Sequence, residues 1–255
     1  MQNATLVGLS RQVALQRELD VVANNIANMN TIGFKADSSV FEEFLSPTAR
    51  AEGVSPADAR VSFVRDRGTW HDLSQGPVET TGNPLDISID GKAFLVVQTP
   101  RGERYTRNGA MQINPKGQLV TTDGSPVLGE SGPITLQPGD HDVSVSPEGV
   151  VSVREGTSIT DSQRGKLRLV TFDAASEARL QKDGSGAFNA NGATPSPDKN
   201  ARVVQGAVEK SNVRSVVEMT RMIEITRAYT QVAAMLQQQS DMRTSAINKL
   251  ADVPA

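Results

Sequence analysis

The chain has no cysteine among its 255 residues. That absence removes disulfides, thiolate nucleophiles and cysteine metal sites together, and it fits an oxidising destination. Aromatic residues are scarce, 4% of the chain with a single tryptophan, and hydrophobic residues make up only 37%. A single core of this length would normally hold more large apolar side chains. The composition therefore implies a modest core plus extended or partner-dependent segments. No apolar run approaches the roughly 18 residues of a membrane span, so no membrane insertion is expected. The N-terminus lacks a basic start followed by an apolar stretch, so no cleaved secretory signal is expected. The net charge of −3 leaves out the basic footprint of a nucleic-acid binder.

Proline is missing between Asp198 and Val253, and a long helical pattern fills that gap. Met222, Ile225, Tyr229, Val232 and Leu236 fall at alternating spacings of three and four, with Val216 and Met219 extending the stripe backwards. A helix from about Val213 to Leu250 would be roughly 55 Å long. The front of the chain carries a matching pattern, Leu15, Leu19, Val22, Ile26 and Met29, beginning by about Leu6. Both are narrow two-position seams, the pattern of a helix that lies along another helix. Asn24, Asn25, Asn28 and Asn30 crowd the end of the first seam. Asparagine competes with helical backbone bonding and belongs near helix ends. Gly33 then reads as the helix stop.

After Lys35 the pattern loosens. Phe41, Phe44 and Leu45 suggest a short helix ending before Pro47, and Ser46 to Ala59 reads as an exposed loop. Val61, Phe63 and the residues through Trp70 read as extended. From Leu85 the period becomes two. Leu85, Ile87 and Ile89 alternate with Asp86, Ser88 and Asp90, which predicts a half-buried strand turned by Asp90-Gly91. Ala93 to Val97 is an apolar run of strand length. Turn signals then recur at Asn108-Gly109, Asn114 to Gly117, Asp123-Gly124, Pro138 to Asp140 and Pro147 to Gly149. Short strands at such intervals predict an antiparallel all-β domain, with Leu167, Leu169 and Phe172 in a further strand and Asp183 to Asn200 as loop.

Little here suggests catalysis. His71 and His141 are the only histidines, far apart in polar surroundings with no serine elbow, and read as surface residues. Asp86 and Asp90, four apart on a strand, could present paired acids or oxygen ligands to one face. The calcium-loop pattern is absent, however, and Asp90-Gly91 is explained as a turn. The glycines from Asp183 to Gly192 lack the lysine and spacing of a phosphate loop.

Four stretches together resemble one family. Ala23-Asn24-Asn25-Ile26-Ala27-Asn28-Met29-Asn30-Thr31-Ile32-Gly33-Phe34-Lys35 is similar to the signature of flagellar basal-body rod and hook proteins. Thr81 to Ile87, Tyr105 to Gly109, Gly117 to Thr121 and Glu209 to Val213 follow in family order, with Glu218-Met219 and Met222-Ile223 beyond. The opening Leu6 to Leu15 is most similar to the proximal-rod type, with the distal-rod or hook paralogues as the nearest competitors. Ala93 before Phe94, where relatives usually have glycine, and Asn108, where many have a small or acidic residue, are the departures.

The resemblance implies an α+β fold in which N- and C-terminal helices form a coiled-coil-like assembly domain with an inserted antiparallel all-β domain. The segments would be 1–35, the N-terminal helix and motif; 36–80, an extended connector; 81–200, the β-domain; and 201–255, the C-terminal helix. It implies a non-enzymatic structural subunit of the periplasmic rod in the flagellum basal body. Such a subunit leaves by the flagellar type III export apparatus without a cleaved signal and assembles with copies of itself and other rod proteins. Its termini are disordered when free and order on assembly. No cofactor is implied. The expected assembly interface is Leu15, Leu19, Val22 and Ile26 against Met222, Ile225, Tyr229, Val232 and Leu236, within one subunit or between neighbours. Asn24, Asn25, Asn28, Asn30, Gly33, Phe34, Asn212 and Met219 join it from the motifs. Spacing alone equally suits a helical hairpin inside a self-sufficient domain, and the asparagines equally suit plain capping. From a different class, a β-rich carbohydrate or cell-wall binding module on a helical stalk is the alternative.

Overall fold

Helices at the two ends and a β-rich middle make this an α+β chain. The computed structural model describes residues 2–50, 60–156, 160–184 and 186–251. The order is α1 (Gln2–Ala27), two long strands β1 (Asp37–Arg50) and β2 (Arg60–His71), then β3 (Val78–Thr80), β4 (Ile87–Asp90), β5 (Phe94–Thr99) and β6 (Gly102–Thr106). Further short strands, the one-turn helix α2 (Ala174–Glu177) and α3 (Ser215–Ala251) complete it. The chain divides into a helical unit, residues 1–27, 37–70 and 214–255, and a β-rich unit, residues 28–36 and 71–213.

In the helical unit α1 and α3 run antiparallel. Thr5 bonds to Gln239 (3.4 Å), and Arg221 makes two bonds to one Glu18 oxygen (3.0 and 2.7 Å). The two seams supply the contact. Val22 and Ile225 are buried, and Leu15, Leu19, Ile26, Met222, Tyr229, Val232 and Leu236 are half-buried. Gly8 allows close approach, since a Cβ there would meet Leu236 Cδ2 at 2.7 Å. α3 is the longer helix. Past Gln239, the partner of Thr5, its residues from Ser240 to Lys249 are all exposed.

α1 stops at Ala27, six residues before Gly33. The asparagines end it: Thr31 N–H donates to the Asn28 carbonyl (3.1 Å) in the turn that follows. The short helix expected around Phe41, Phe44 and Leu45 is also corrected, since these residues lie within β1, which pairs with β2 in a two-stranded sheet. Pairing with a distant strand overrides a weak local helical spacing. The expected loop from Ser46 begins inside β1, and residues 51–59 lie outside the described residues.

In the β-rich unit β5 is the shared wall of two cores. Leu95 and Val97 point into one, with Ile87, Ile89, Leu119, Val127, Val151 and Leu167. Phe94 and Val96 point into the other, with Tyr105, Phe172, Leu180 and Phe188. A strand covered on both faces has no polar period, which is why Ala93 to Val97 reads as a continuous apolar run. The scarce aromatics are concentrated here. Phe94 meets Phe172 and Phe188 edge-on at 5.9 and 5.7 Å, and Tyr105 meets Phe172 at 4.9 Å. β4 is buried more fully than its alternation predicts. Ser88 is covered as well as Ile87 and Ile89, and only Asp90 is exposed.

β5 and β6 lie at the centre of a six-stranded antiparallel sheet. Its edge strands, Gln181–Lys182 and Ser196–Pro197, are two residues each and carry Lys182 and Pro197. Such short edges offer little template for another strand. Two further pairings return the end of the unit to its beginning: Arg202–Gln205 on β4 and Ala207–Glu209 on β3.

Gly109 marks the tightest backbone approach. A Cβ there would stand 1.8 Å from the Ile87 carbonyl oxygen, and neither backbone has room to move. Gly109→Ala should destabilise the β-rich unit by about 2 kcal/mol or more. Hydrogen exchange at β5 under increasing urea checks this, and protection equal to the parent's would contradict the packing.

Candidate functional site

The conspicuous polar feature of the β-rich unit is a buried knot of charge. Lys35 and Glu209 are fully buried and Arg107 is 3% exposed. Lys35 Nζ lies 2.5 Å from one Glu209 oxygen, and Arg107 Nη1 lies 3.3 Å from the other. The same groups are bonded to backbone. Lys35 Nζ donates to the Ser74 carbonyl (2.6 Å), Gly76 N–H donates to Glu209 (2.9 Å), and Arg107 donates to the carbonyls of Ile89 (3.1 Å) and Gly91. The Arg107 Nε is buried with no hydrogen-bond partner among the described residues.

Each member arrives on a backbone that demands its position. Gly33 has φ +69°, and a Cβ on it would collide with Asn108 N at 2.3 Å, so the chain presses directly on the Arg107–Asn108 backbone. Its N–H donates to the Glu209 carbonyl (2.7 Å). Phe34 is buried beneath the Lys182 ammonium, 3.8 Å from the ring centre, and Lys182 also donates to the Lys35 carbonyl (2.5 Å). Arg107 lies over the Phe94 ring at 5.4 Å. Asn212 ties the rim: its Oδ1 accepts from Ala36 N–H (2.7 Å), and its Nδ2 donates to the carbonyls of Asp72 (2.9 Å) and Ser74 (3.1 Å).

Burial pushes the Lys35 ammonium below the ordinary lysine range, and the adjacent Glu209 carboxylate opposes that shift. Burial likewise lowers Arg107, again against the pull of Glu209. The carboxylate is thus the only strong compensation for two buried cations, with half-buried Asp72 adding a weaker attraction to Lys35. The arrangement suits a clasp. It has no exposed nucleophile or base, and among the described residues no cluster of acids and histidines could hold a metal ion.

The residues expected at an assembly interface divide into three groups. Leu15, Leu19, Val22, Ile26, Met222, Ile225, Tyr229, Val232 and Leu236 lie along the contact of α1 with α3. Asn25, Gly33, Phe34 and Asn212 are engaged within the chain itself. Asn25 exchanges two bonds with the Asp37 backbone (2.8 and 2.9 Å) and also reaches Glu218 (3.3 Å). Asn24 and Asn30 are exposed and Asn28 half-buried. Met219 does not continue the α3 seam, and this corrects the expected stripe. It is 47% exposed, and Glu218 and Arg221 hold the positions facing α1. Asp86 is an acceptor for Thr81 Oγ1 (2.7 Å) and Asn83 Nδ2 (3.0 Å), which spends it on closing a turn. Its expected partner Asp90 is exposed at the end of β4.

Sequence reasoning passes over the charge knot. Its signal is present but dispersed: a charged residue directly follows apolar ones at Phe34-Lys35 and Val208-Glu209, while Arg107 stands between two turn-forming stretches.

Three family models match the chain. Residues 6–35 match the flagella basal body rod protein model, 88–153 the flagellar hook protein FlgE/F/G D1 domain, and 204–249 the flagellar basal body rod FlgEFG protein C-terminal model. A flagellar basal-body rod protein FlgF of Caulobacter vibrioides is 43% identical over 99% of this chain and 100% of its own length. The FlgF of Mesorhizobium japonicum is 35% identical over 98% of both. A FlgG of Buchnera aphidicola is 33% identical over 85% of this chain and 87% of its own. The chain belongs to the flagellar basal-body rod protein family.

The matched stretches give the knot its place in this rod protein. Lys35 lies in the first, Arg107 in the second and Glu209 in the third. One buried ion cluster therefore joins all three.

Glu209→Gln should be far more damaging than Lys35→Met. The first leaves two buried cations without their counter-charge, at about 3–5 kcal/mol. The second leaves Glu209 still paired with Arg107. Urea midpoints of the full chain test the order, and equal losses would show that Glu209 is not the common counter-charge.

Proposed function

We propose that this chain is a structural, non-enzymatic subunit of the proximal rod, which adds axially through its terminal helices and transmits torque. The near-full-length likeness to FlgF proteins supports the proximal assignment. In this reading α1 and α3 form a coiled-coil-like assembly domain, and the β-rich unit is an all-β domain inserted between them. The partners are copies of the chain and other rod proteins, and the route out of the cytoplasm is the flagellar type III export apparatus. The location is the periplasmic rod of the basal body.

The observation that carries the assembly mechanism is a second apolar stripe on each helix, outside their mutual contact. On α1, Leu6, Leu9 and Val13 are 51, 51 and 63% exposed. On α3, Val216, Met219 and Ile223 are exposed at the same three-and-four spacing. A groove of about 620 Å³ beside the helix contact is lined by Val7, Val232, Met235, Leu236 and Met242. Narrow hydrophobic faces of this kind mark contact with another protein. Two different faces that meet on successive copies make a contact that does not close, and so a filament.

The glycan-binding alternative lacks a platform. All five aromatic rings of the β-rich unit, Phe34, Phe94, Tyr105, Phe172 and Phe188, are buried. None is available to stack on a sugar.

Because Leu9 and Val13 are already exposed, Leu9→Asp with Val13→Asp separates assembly from folding. Monomer stability should change by no more than about 1 kcal/mol for the pair, whereas a strain relying on the variant should form no rod and not swim. Normal swimming would reject this stripe as an assembly face.

A further inference from the structure

We propose that the Lys35–Glu209–Arg107 knot is a latch that makes the pairing of α1 with α3 a local event. The inference rests on geometry within one chain and holds whether or not the chain is a rod subunit. In sequence the two helices are far apart. From the end of α1 at Ala27 to the start of α3 at Ser215 there are about 190 residues. Closing so long a loop carries an entropic cost that grows with the three-halves power of its length.

The latch shortens the loop. Gly33 N–H donates to the Glu209 carbonyl at 2.7 Å, Asn212 N–H reaches the Phe34 carbonyl at 3.4 Å, and the Lys35–Glu209 ion pair lies between them. The segment leading back to α1 and the segment leading on to α3 are thereby fastened side by side. Asn212 adds the third passage, through Ala36, Asp72 and Ser74, where the chain leaves for β1 and returns from β2. With these bonds made, pairing α1 with α3 closes only about 15 residues. The length ratio favours pairing by roughly 50-fold relative to an unfastened chain.

The burial of the knot gives the latch an all-or-none character. Two cations and a carboxylate at this depth are stable only together. Arg107 anchors the carboxylate to the carbonyls of Ile89 and Gly91, next to the core strand β5. The latch therefore closes when the β-rich unit folds, and the helices meet afterwards.

The chain has no cysteine, so a pair introduced at the exposed positions Gln16 and Glu224 takes spin labels uniquely. Distances between the labels, measured by electron–electron resonance in the full chain across a urea series, report helix pairing. Hydrogen exchange at β5 reports the β-rich unit in the same samples. The parent should show one narrow distance distribution. Glu209→Gln should lower the ratio of paired to unpaired helices by up to roughly 50-fold at urea concentrations where β5 is still protected. Asn212→Ala, which leaves the ion cluster whole, should give a smaller loss in the same direction. A parent with unpaired helices overturns the proposal, as does Glu209→Gln with unchanged pairing and a protected β5. If Glu209→Gln exposes β5 as well, Asn212→Ala decides, and unchanged pairing there overturns it.

Discussion

One carboxylate holds this molecule's charge balance. Glu209 stands between Lys35 and Arg107, all three beyond the reach of bulk water. Removing such groups from water costs several kcal/mol each, and attraction at short range offsets that only when the remaining donors and acceptors are also bonded. Here the backbone supplies those bonds, from Gly76 to the carboxylate, from Lys35 to Ser74 and from Arg107 to Ile89 and Gly91. Apolar residues of equal volume might fill the space with no loss of stability. They would not specify which three backbone segments meet. Specificity, more than stability, is what the ion cluster contributes.

From that point the rest of the β-rich unit is read outward. The glycine at 33 exists to let one backbone rest on another, and the amide of Asn212 gathers the passages around it. The helical unit is built on different terms. Its helices share a narrow seam, two polar ties and a glycine, and much of their apolar surface remains outside that seam. One unit is complete in itself, and the other presents surface for something more. That division matches a family whose members are parts of a larger rod.

Much of the fold is legible in the sequence because period is a local signal. The three-and-four spacing of Leu15 to Met29 and of Met222 to Leu236 gives both helices, and closely spaced turns give the β-rich middle. The misreadings share a cause, since long-range contact decides what local pattern leaves ambiguous. Phe41 and Phe44 look helical until β2 pairs with β1. Gly33 looks like a helix stop because glycine serves both helix ends and close backbone contacts, and only the position of Asn108 tells them apart. The charge knot is invisible for the same reason. Lys35 and Glu209 are 174 residues apart, and no periodicity links two charged residues that never neighbour each other along the chain.

β5 has a consequence for how this protein tolerates change. Its alternate side chains fill two separate cores, so it has no solvent side into which a misfit can relax. A larger residue at Val96 would press on the aromatic ring cluster, and the displaced backbone would carry the strain to Leu95 and the opposite core. Variation in this strand is thus constrained from two directions at once. Sequence drift in relatives should find its freedom elsewhere, on the exposed turns and the overhanging end of α3.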